Sequence, residues 1–188
     1  MRTAMFGGSF DPVHIGHLFV AEEARVNLGY EQVMFVPAYL PPHKPDAPHA
    51  TAGHRVEMLS RALSSRSDFV LEDYEVRRQG LSFTIDTVEY LYRTHEIDGR
   101  LGLIIGDDLL PGFHTWRRAE ELEKLVDIVV ATRDGAADVP QKYSTIDNSA
   151  LPVSSSQVRE RAGAGKAYRY LVPESVYAYI HDHGIYTN

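Results

Sequence analysis

Two histidines three residues apart, His14 and His17, follow a glycine pair in the run Gly7-Gly8-Ser9-Phe10-Asp11-Pro12-Val13-His14-Ile15-Gly16-His17-Leu18. A short apolar stretch, Thr3-Ala4-Met5-Phe6, precedes this run. An apolar-periodic series, Leu18, Ala21, Ala24, Arg25 and Leu28, follows it and is closed by Gly29. The pattern predicts strand, glycine turn and helix, with Gly29 in the left-handed position after the last turn. Gly7 and Gly8 carry no Cβ, so the backbone there can come close to a bound group. The histidines fall at the mouth of the helix, where unpaired N–H groups and the helix dipole attract anions. Gly16 keeps the space between them clear. This chemistry suits a phosphate.

Other chemistries fit the segment less well. It is neither the dinucleotide fingerprint G-x-G-x-x-G nor a phosphate loop ending in G-K-[ST]. The single Gly-Lys pair, Gly165-Lys166, has Glu160 where the first glycine of that loop belongs, and Ala167 after the lysine. A metal could use both histidines, but the chain has no cysteine and no third ligand at recognisable spacing. A buried structural pair would still need partners.

A second phosphate-binding candidate lies in Val153-Ser154-Ser155-Ser156-Gln157-Val158-Arg159. Ser154 can cap a helix over 155–162, with Val158 and Ala162 as an i, i+4 pair. The first turn then offers N–H groups and the hydroxyls of Ser155 and Ser156, and Arg159 adds a fork of charged donors one turn on. Capping alone explains one serine, not three with an arginine. The proline-rich segment 38–48 holds His43 and Lys44 and predicts a constrained surface loop near the site.

The elements that must position these groups alternate along the chain. Apolar runs at 32–36, 69–71, 101–105 and 127–131 read as strands. Val56, Leu59, Ala62 and Leu63 form one helical face, Val88, Leu91 and Tyr92 belong to another helix, and 134–151 reads as a loop with at most one short strand. This rhythm predicts an α/β fold: a doubly wound, Rossmann-like parallel sheet with a small C-terminal helical portion, in a single domain over 1–188. Ligands of such sheets gather at the carboxyl ends of strands. Gly7-Gly8 and Gly106-Asp107-Asp108 each follow a strand, so both should reach one edge. A net charge of −7 argues against a general nucleic-acid surface. The absence of cysteine, of a long apolar run and of a signal-peptide pattern fits a cytoplasmic enzyme.

Together these residues resemble the nucleotidyltransferase superfamily that includes class I aminoacyl-tRNA synthetases, and within it the bacterial nicotinate-mononucleotide adenylyltransferases. Beyond His14-Ile15-Gly16-His17, the similarity takes in Pro41-Pro42-His43-Lys44, Ser82-Phe83-Thr84-Ile85-Asp86-Thr87, Gly106-Asp107-Asp108 with Trp116, the serine segment, Val172-Pro173 and the helix around Tyr179-Ile180. Ser9 and Ser156 stand where the family often has threonine, and Phe83 where it often has tyrosine.

The resemblance implies transfer of the adenylyl group of ATP to nicotinate mononucleotide, giving nicotinate adenine dinucleotide and pyrophosphate, with Mg²⁺ carried in by ATP. It implies catalytic roles for His14, His17, Lys44 and Arg159. Gly7, Gly8, Ser9, Phe10, Gly106, Asp108, Ser155 and Ser156 would bind ATP. Thr84, Trp116 and Arg133 would bind the mononucleotide, Trp116 by stacking on the pyridine ring and the backbone near Thr84 by meeting the carboxylate. From the residues alone, Trp116 also fits a helical core face with Ala119, Leu122 and Leu125. His181-Asp182-His183 reads as a solvated helical face. The partners implied are two small molecules, with no nucleic acid or membrane, and a homo-oligomer remains open. A phosphopantetheine adenylyltransferase shares the His-x-Gly-His chemistry but not the pattern around Thr84 and Trp116. A non-catalytic nucleotide sensor would not need His14, His17, Lys44 and Arg159 together.

Overall fold

A computed structural model describes residues 1–42, 48–133 and 139–187. Six strands form one sheet: β1 (Thr3–Gly8), β2 (Gln32–Pro37), β3 (Phe69–Leu71), β4 (Leu101–Gly106), β5 (Val126–Thr132) and β6 (Ser144–Asp147). Their spatial order is β3-β2-β1-β4-β5-β6, and every neighbouring pair is parallel. The expected α/β sheet is present. Chain order reverses between β1 and β4, so a crevice opens beyond their carboxyl ends. Gly8 ends one of these strands and Gly106 the other.

The described helices are α1 (Ile15–Leu28), α2 (Ala52–Leu63), α3 (Tyr74–Arg78), α4 (Thr84–Thr94), α5 (Ala119–Leu125), α6 (Ser155–Gly163) and α7 (Glu174–Asp182). Strand side chains alternate between two cores, as the pleat requires. On one face Ala4, Phe6, Val33, Phe35, Ile104 and Val129 pack with residues of α1, α2, α6 and α7. On the other, Met5, Met34, Leu103, Ile105 and Val130 meet Ile85, Val88 and Leu91 of α4 and Leu122 of α5. Continuous apolar strands are explained by this covering of both faces. The site histidines sit above the first core, and Thr84 and Trp116 above the second.

Several details differ from the sequence expectations. The buried positions of α2 are Arg55, Met58, Leu59 and Leu63, so its inner face is turned to admit an arginine and Val56 is only half-buried. Those of α1 are Gly16, Val20, Ala21 and Ala24, while Leu18 and Leu28 pack at the margin. β2 includes Pro37, one residue beyond the expected stop. Trp116 is not part of α5: it follows the short turn Phe113–Thr115 in an extended conformation, and the helix begins at Ala119. Gly29 does close α1, at φ +71°.

Candidate active site

The turn after β1 is built around a buried wedge. Phe10 is 2% exposed, and its ring lies 5.6 Å from Phe6, 5.7 Å from Phe35 and 5.0 Å from the His17 ring. Any contact of Phe10 with a nucleotide therefore falls mainly to its backbone. The ring itself braces His17. The His14 backbone N–H donates to His17 Nδ1 at 3.2 Å. Since Nδ1 accepts, a neutral His17 carries its proton on Nε2. The two imidazoles stack with centroids 3.6 Å apart.

His14 is buried, and its Nδ1 has no hydrogen-bond partner among the described residues. Burial, helped by the positive charge of Arg133, pushes its pKa down to about 3, so the folded ring is neutral near pH 7. A Cβ on Gly16 would lie 3.1 Å from His14 Nδ1 and 3.3 Å from the Leu151 carbonyl oxygen, which explains the glycine between the histidines.

The buried neutral ring has a consequence for stability. The unfolded chain takes up this proton at the ordinary histidine pKa of about 6.5, the folded chain only near 3. The unfolded state thus binds more protons across that window, and stability falls as pH drops through it. By pH 5 the loss from this group is about 2 kcal/mol. Urea unfolding of wild type and His14→Gln at pH 7 and pH 5 measures it. The variant is expected to lose less stability on acidification, and equal losses would mean that His14 is protonated within the fold.

α6 forms as expected. Ser154 caps it by accepting from the Gln157 N–H at 3.1 Å, and Val158 and Ala162 are buried. Its residues divide the work unevenly. The Ser155 hydroxyl donates to the Pro12 carbonyl at 2.9 Å, stitching the helix to the glycine turn. That proton is spent, so Ser155 can offer an anion its backbone N–H rather than its hydroxyl proton. Arg159 Nη1 donates to the Asp11 carbonyl at 2.7 Å, and Nη2 to Ser156 Oγ at 3.1 Å. Because Ser156 Oγ accepts from the arginine, its own O–H remains a donor.

The opposite wall belongs to α4 and the chain after β4. Thr84 is the first residue of α4, where early N–H groups lack intrahelical acceptors. Trp116 is half-buried and tilts against Phe113, ring centroids 5.2 Å apart. Arg133 stands 3.7 Å from Asp108 Oδ1, and its N–H donates to Asp107 Oδ2 at 2.9 Å. Arg133 and His14 line the same cavity.

One cavity of about 690 Å³ joins these walls. It is lined by Gly7, Gly8, Ser9, Phe10, His14, His17, Thr84, Gly106, Asp108, Trp116, Arg133, Ser155, Ser156 and Arg159. Lys44 and its neighbour His43 lie outside the described residues. The stems on either side of them, Pro41, Pro42, Pro48 and His49, line the same cavity. One stem is held by the Tyr39 N–H donating to Ser82 Oγ at 3.0 Å, the other by Asp11. No group of three or more His, Asp or Glu arranged to hold a metal ion occurs among the described residues.

Three supporting residues escaped the sequence reading. Arg55, 1% exposed, donates to the Ser9 carbonyl at 2.7 Å and to the Tyr39 carbonyl at 3.3 Å, bracing the glycine turn against the proline-rich segment. Burial pulls its pKa down, and Asp11 and Glu75 oppose that shift. Glu75 is buried at the cavity wall and accepts from the Thr87 hydroxyl at 2.6 Å; its burial raises its pKa. Asp11 accepts from the His49 and Ala50 N–H groups at 2.7 and 3.0 Å. An arginine on the inner stripe of α2 is the one signal that could have revealed Arg55.

Comparison with known proteins shows the family and the shared fold. Residues 5–161 match the cytidylyltransferase-like family. The chain is 38% identical to a protein of Salinibacter ruber named as a probable nicotinate-nucleotide adenylyltransferase, over 99% of this chain and 98% of that one. A Bacillus pumilus protein of the same name is 37% identical, over 98% of both chains. Among solved structures, the Plasmodium falciparum nicotinic acid mononucleotide adenylyltransferase complexed with NaAD superposes with a TM-score of 0.79 at 19% identity, covering 98% of this chain and 97% of that one, which shows the shared fold. No described helix is long and apolar enough to cross a membrane. The chain belongs to the cytidylyltransferase-like family and, within it, to the nicotinate-nucleotide adenylyltransferases.

Proposed function

We propose that this chain joins ATP to nicotinate mononucleotide in the cavity between β1 and β4, releasing pyrophosphate. The observation that carries the reading is the meeting of two phosphate-suited helix mouths with a pyridine-suited wall. α1 brings His14 and His17, α6 brings Ser156 and Arg159, and Thr84 and Trp116 line the other side.

In the reaction an oxygen of the mononucleotide phosphate forms a bond to the α-phosphorus of ATP, and the bond from that phosphorus to the bridging oxygen breaks. The electron pair leaves with pyrophosphate. The attacking phosphate is already ionised near neutral pH, so no strong base is needed. Catalysis rests on alignment and on charge stabilisation. His17 donates from Nε2 to oxygens around the α-phosphate, and His14, neutral in the folded chain, supports the same region. Arg133, a cation beside Asp108 on the wall of the same cavity as His14, suits the phosphate end of the mononucleotide rather than its ring. Lys44 is assigned to the reacting phosphates on sequence grounds. Gly7, Gly8, Ser9, Phe10, Gly106 and Asp108 line the path for the rest of ATP.

Mg²⁺ suits this donor set only as a guest of the triphosphate. Among the described carboxylates at the cavity, Asp11 is filled by N–H and O–H donors, Glu75 is buried and accepts from the Thr87 hydroxyl, and Asp108 is exposed beside Arg133. An ion bound to ATP oxygens would supply charge neutralisation there.

Arg159, which holds Ser156 at the mouth of α6, is assigned to the β- and γ-phosphates of ATP, and Arg159→Ala tests that assignment. Loss of its charge-assisted contacts is expected to raise KM for ATP about 10- to 100-fold and to leave KM for the mononucleotide nearly unchanged. Arg159→Lys should restore only part, because lysine lacks the planar fork. Equal losses for both substrates would contradict the assignment. The reaction class is read by label transfer. Label at the α-phosphate of ATP is expected in the dinucleotide and label at the γ-phosphate in pyrophosphate; γ-label in the acceptor product would exclude adenylyl transfer.

A further inference from the structure

The carboxylate of Asp11 collects more of the chain than its place in the glycine turn requires. Its Oδ2 accepts from the His49 N–H, and its Oδ1 accepts from the Ala50 N–H and from the Tyr186 hydroxyl at 2.7 Å. Arg159 is tied to the same residue, through Nη1 to the Asp11 carbonyl at 2.7 Å and, at 3.9 Å, to Oδ2. The residue is 4% exposed, so these contacts are made away from water.

Tyr186 reaches this point by a specific path. α7 ends at Asp182, Gly184 turns the chain at φ +59°, and Ile185 drops into the core with its N–H donating to the Ile180 carbonyl. Tyr186 itself lies at φ +65°, a region that bulky residues seldom adopt. Packing around Ile185 and the Asp11 contact hold it there. The end of the chain is therefore turned back against the nucleotide turn, 175 residues away in sequence.

We propose that Tyr186 is a positioning residue for ATP. Its hydroxyl helps fix the rotamer of Asp11. A fixed Asp11 sets the carbonyl that orients Arg159, and holds the stem at His49 and Ala50 that borders the cavity. The C-terminal turn thus tunes the triphosphate site without touching substrate. This inference rests on the assignment of Arg159 to the triphosphate.

Steady-state kinetics of full-length Tyr186→Phe, Arg159→Ala and the double variant test it. Tyr186→Phe is expected to raise KM for ATP about fivefold to tenfold, to move KM for nicotinate mononucleotide less than about twofold and to keep a near-normal melting temperature. In the Arg159→Ala background the same change should add less than about twofold, because the residue through which it acts is gone. Asp11→Asn, equal in volume, reads the contact from the other side and should give the same split between substrates. A silent Tyr186→Phe beside a large Arg159→Ala effect would overturn the positioning role alone. So would equal shifts in both KM values, or an undiminished effect in the double variant. An Arg159→Ala variant with unchanged KM for ATP would remove the assignment beneath it as well.

Discussion

His17→Ala is expected to lower kcat by about 10²–10³ while leaving the fold nearly as stable as before. The reason lies in how the ring is held. Its Nδ1 is engaged by the His14 N–H, its faces and edges meet His14 and Phe10, and a neutral ring carries its proton on Nε2. A donor pre-set in this way pays little reorganisation when charge grows on phosphate oxygens. Removal of one such donor typically costs roughly 3–4 kcal/mol of transition-state stabilisation. The folding cost is smaller, because His17 is only half-buried and the Phe10 wedge remains packed on Phe6 and Phe35. Single-turnover rates with saturating substrates, together with thermal melts, separate the two effects. A variant with near-wild-type kcat would remove His17 from the chemistry, and a collapsed melting temperature would make its role structural.

What the sequence made legible was the geometry that repeats. Glycines after apolar runs located the carboxyl edge of the sheet, and both strand ends border the cavity. The cap at Ser154 and the helix behind it were readable because capping and an i, i+4 apolar pair are local. The supports were not. Asp11 and Arg55 act through carbonyls and N–H groups far along the chain, and no spacing announces a contact between Tyr186 and Asp11. Ser155 illustrates the limit on the site itself: its type suggested a phosphate donor, yet its proton is engaged by the Pro12 carbonyl. Trp116 looked compatible with a helical stripe, but α5 starts only at Ala119. Periodicity could not separate a core anchor from a cavity wall there.

A second large effect is expected in the choice of acceptor. A nicotinate carboxylate and a nicotinamide amide share a shape but differ in charge and in donor pattern. Thr84 opens α4, so N–H groups of that first turn can meet a carboxylate but would face the NH₂ of an amide donor to donor. A buried unpaired donor costs about 1–3 kcal/mol, and two such conflicts multiply the discrimination. Nicotinate mononucleotide is therefore expected to exceed nicotinamide mononucleotide by at least about a hundredfold in kcat/KM, the factor that ~2.7 kcal/mol supplies. Trp116→Ala should lower the efficiency of both acceptors alike, since stacking senses the ring rather than its substituent. A loss confined to one acceptor would refute the stacking role.

Pyrophosphate release by the wild-type chain, with ATP and a panel of acceptors, decides the reaction. Turnover is expected with nicotinate mononucleotide, at least about a hundredfold less efficiently with nicotinamide mononucleotide, and not with phosphopantetheine. Comparable efficiencies for the two pyridine mononucleotides would overturn the acid-specific recognition at Thr84, and release with neither would contradict the assigned reaction.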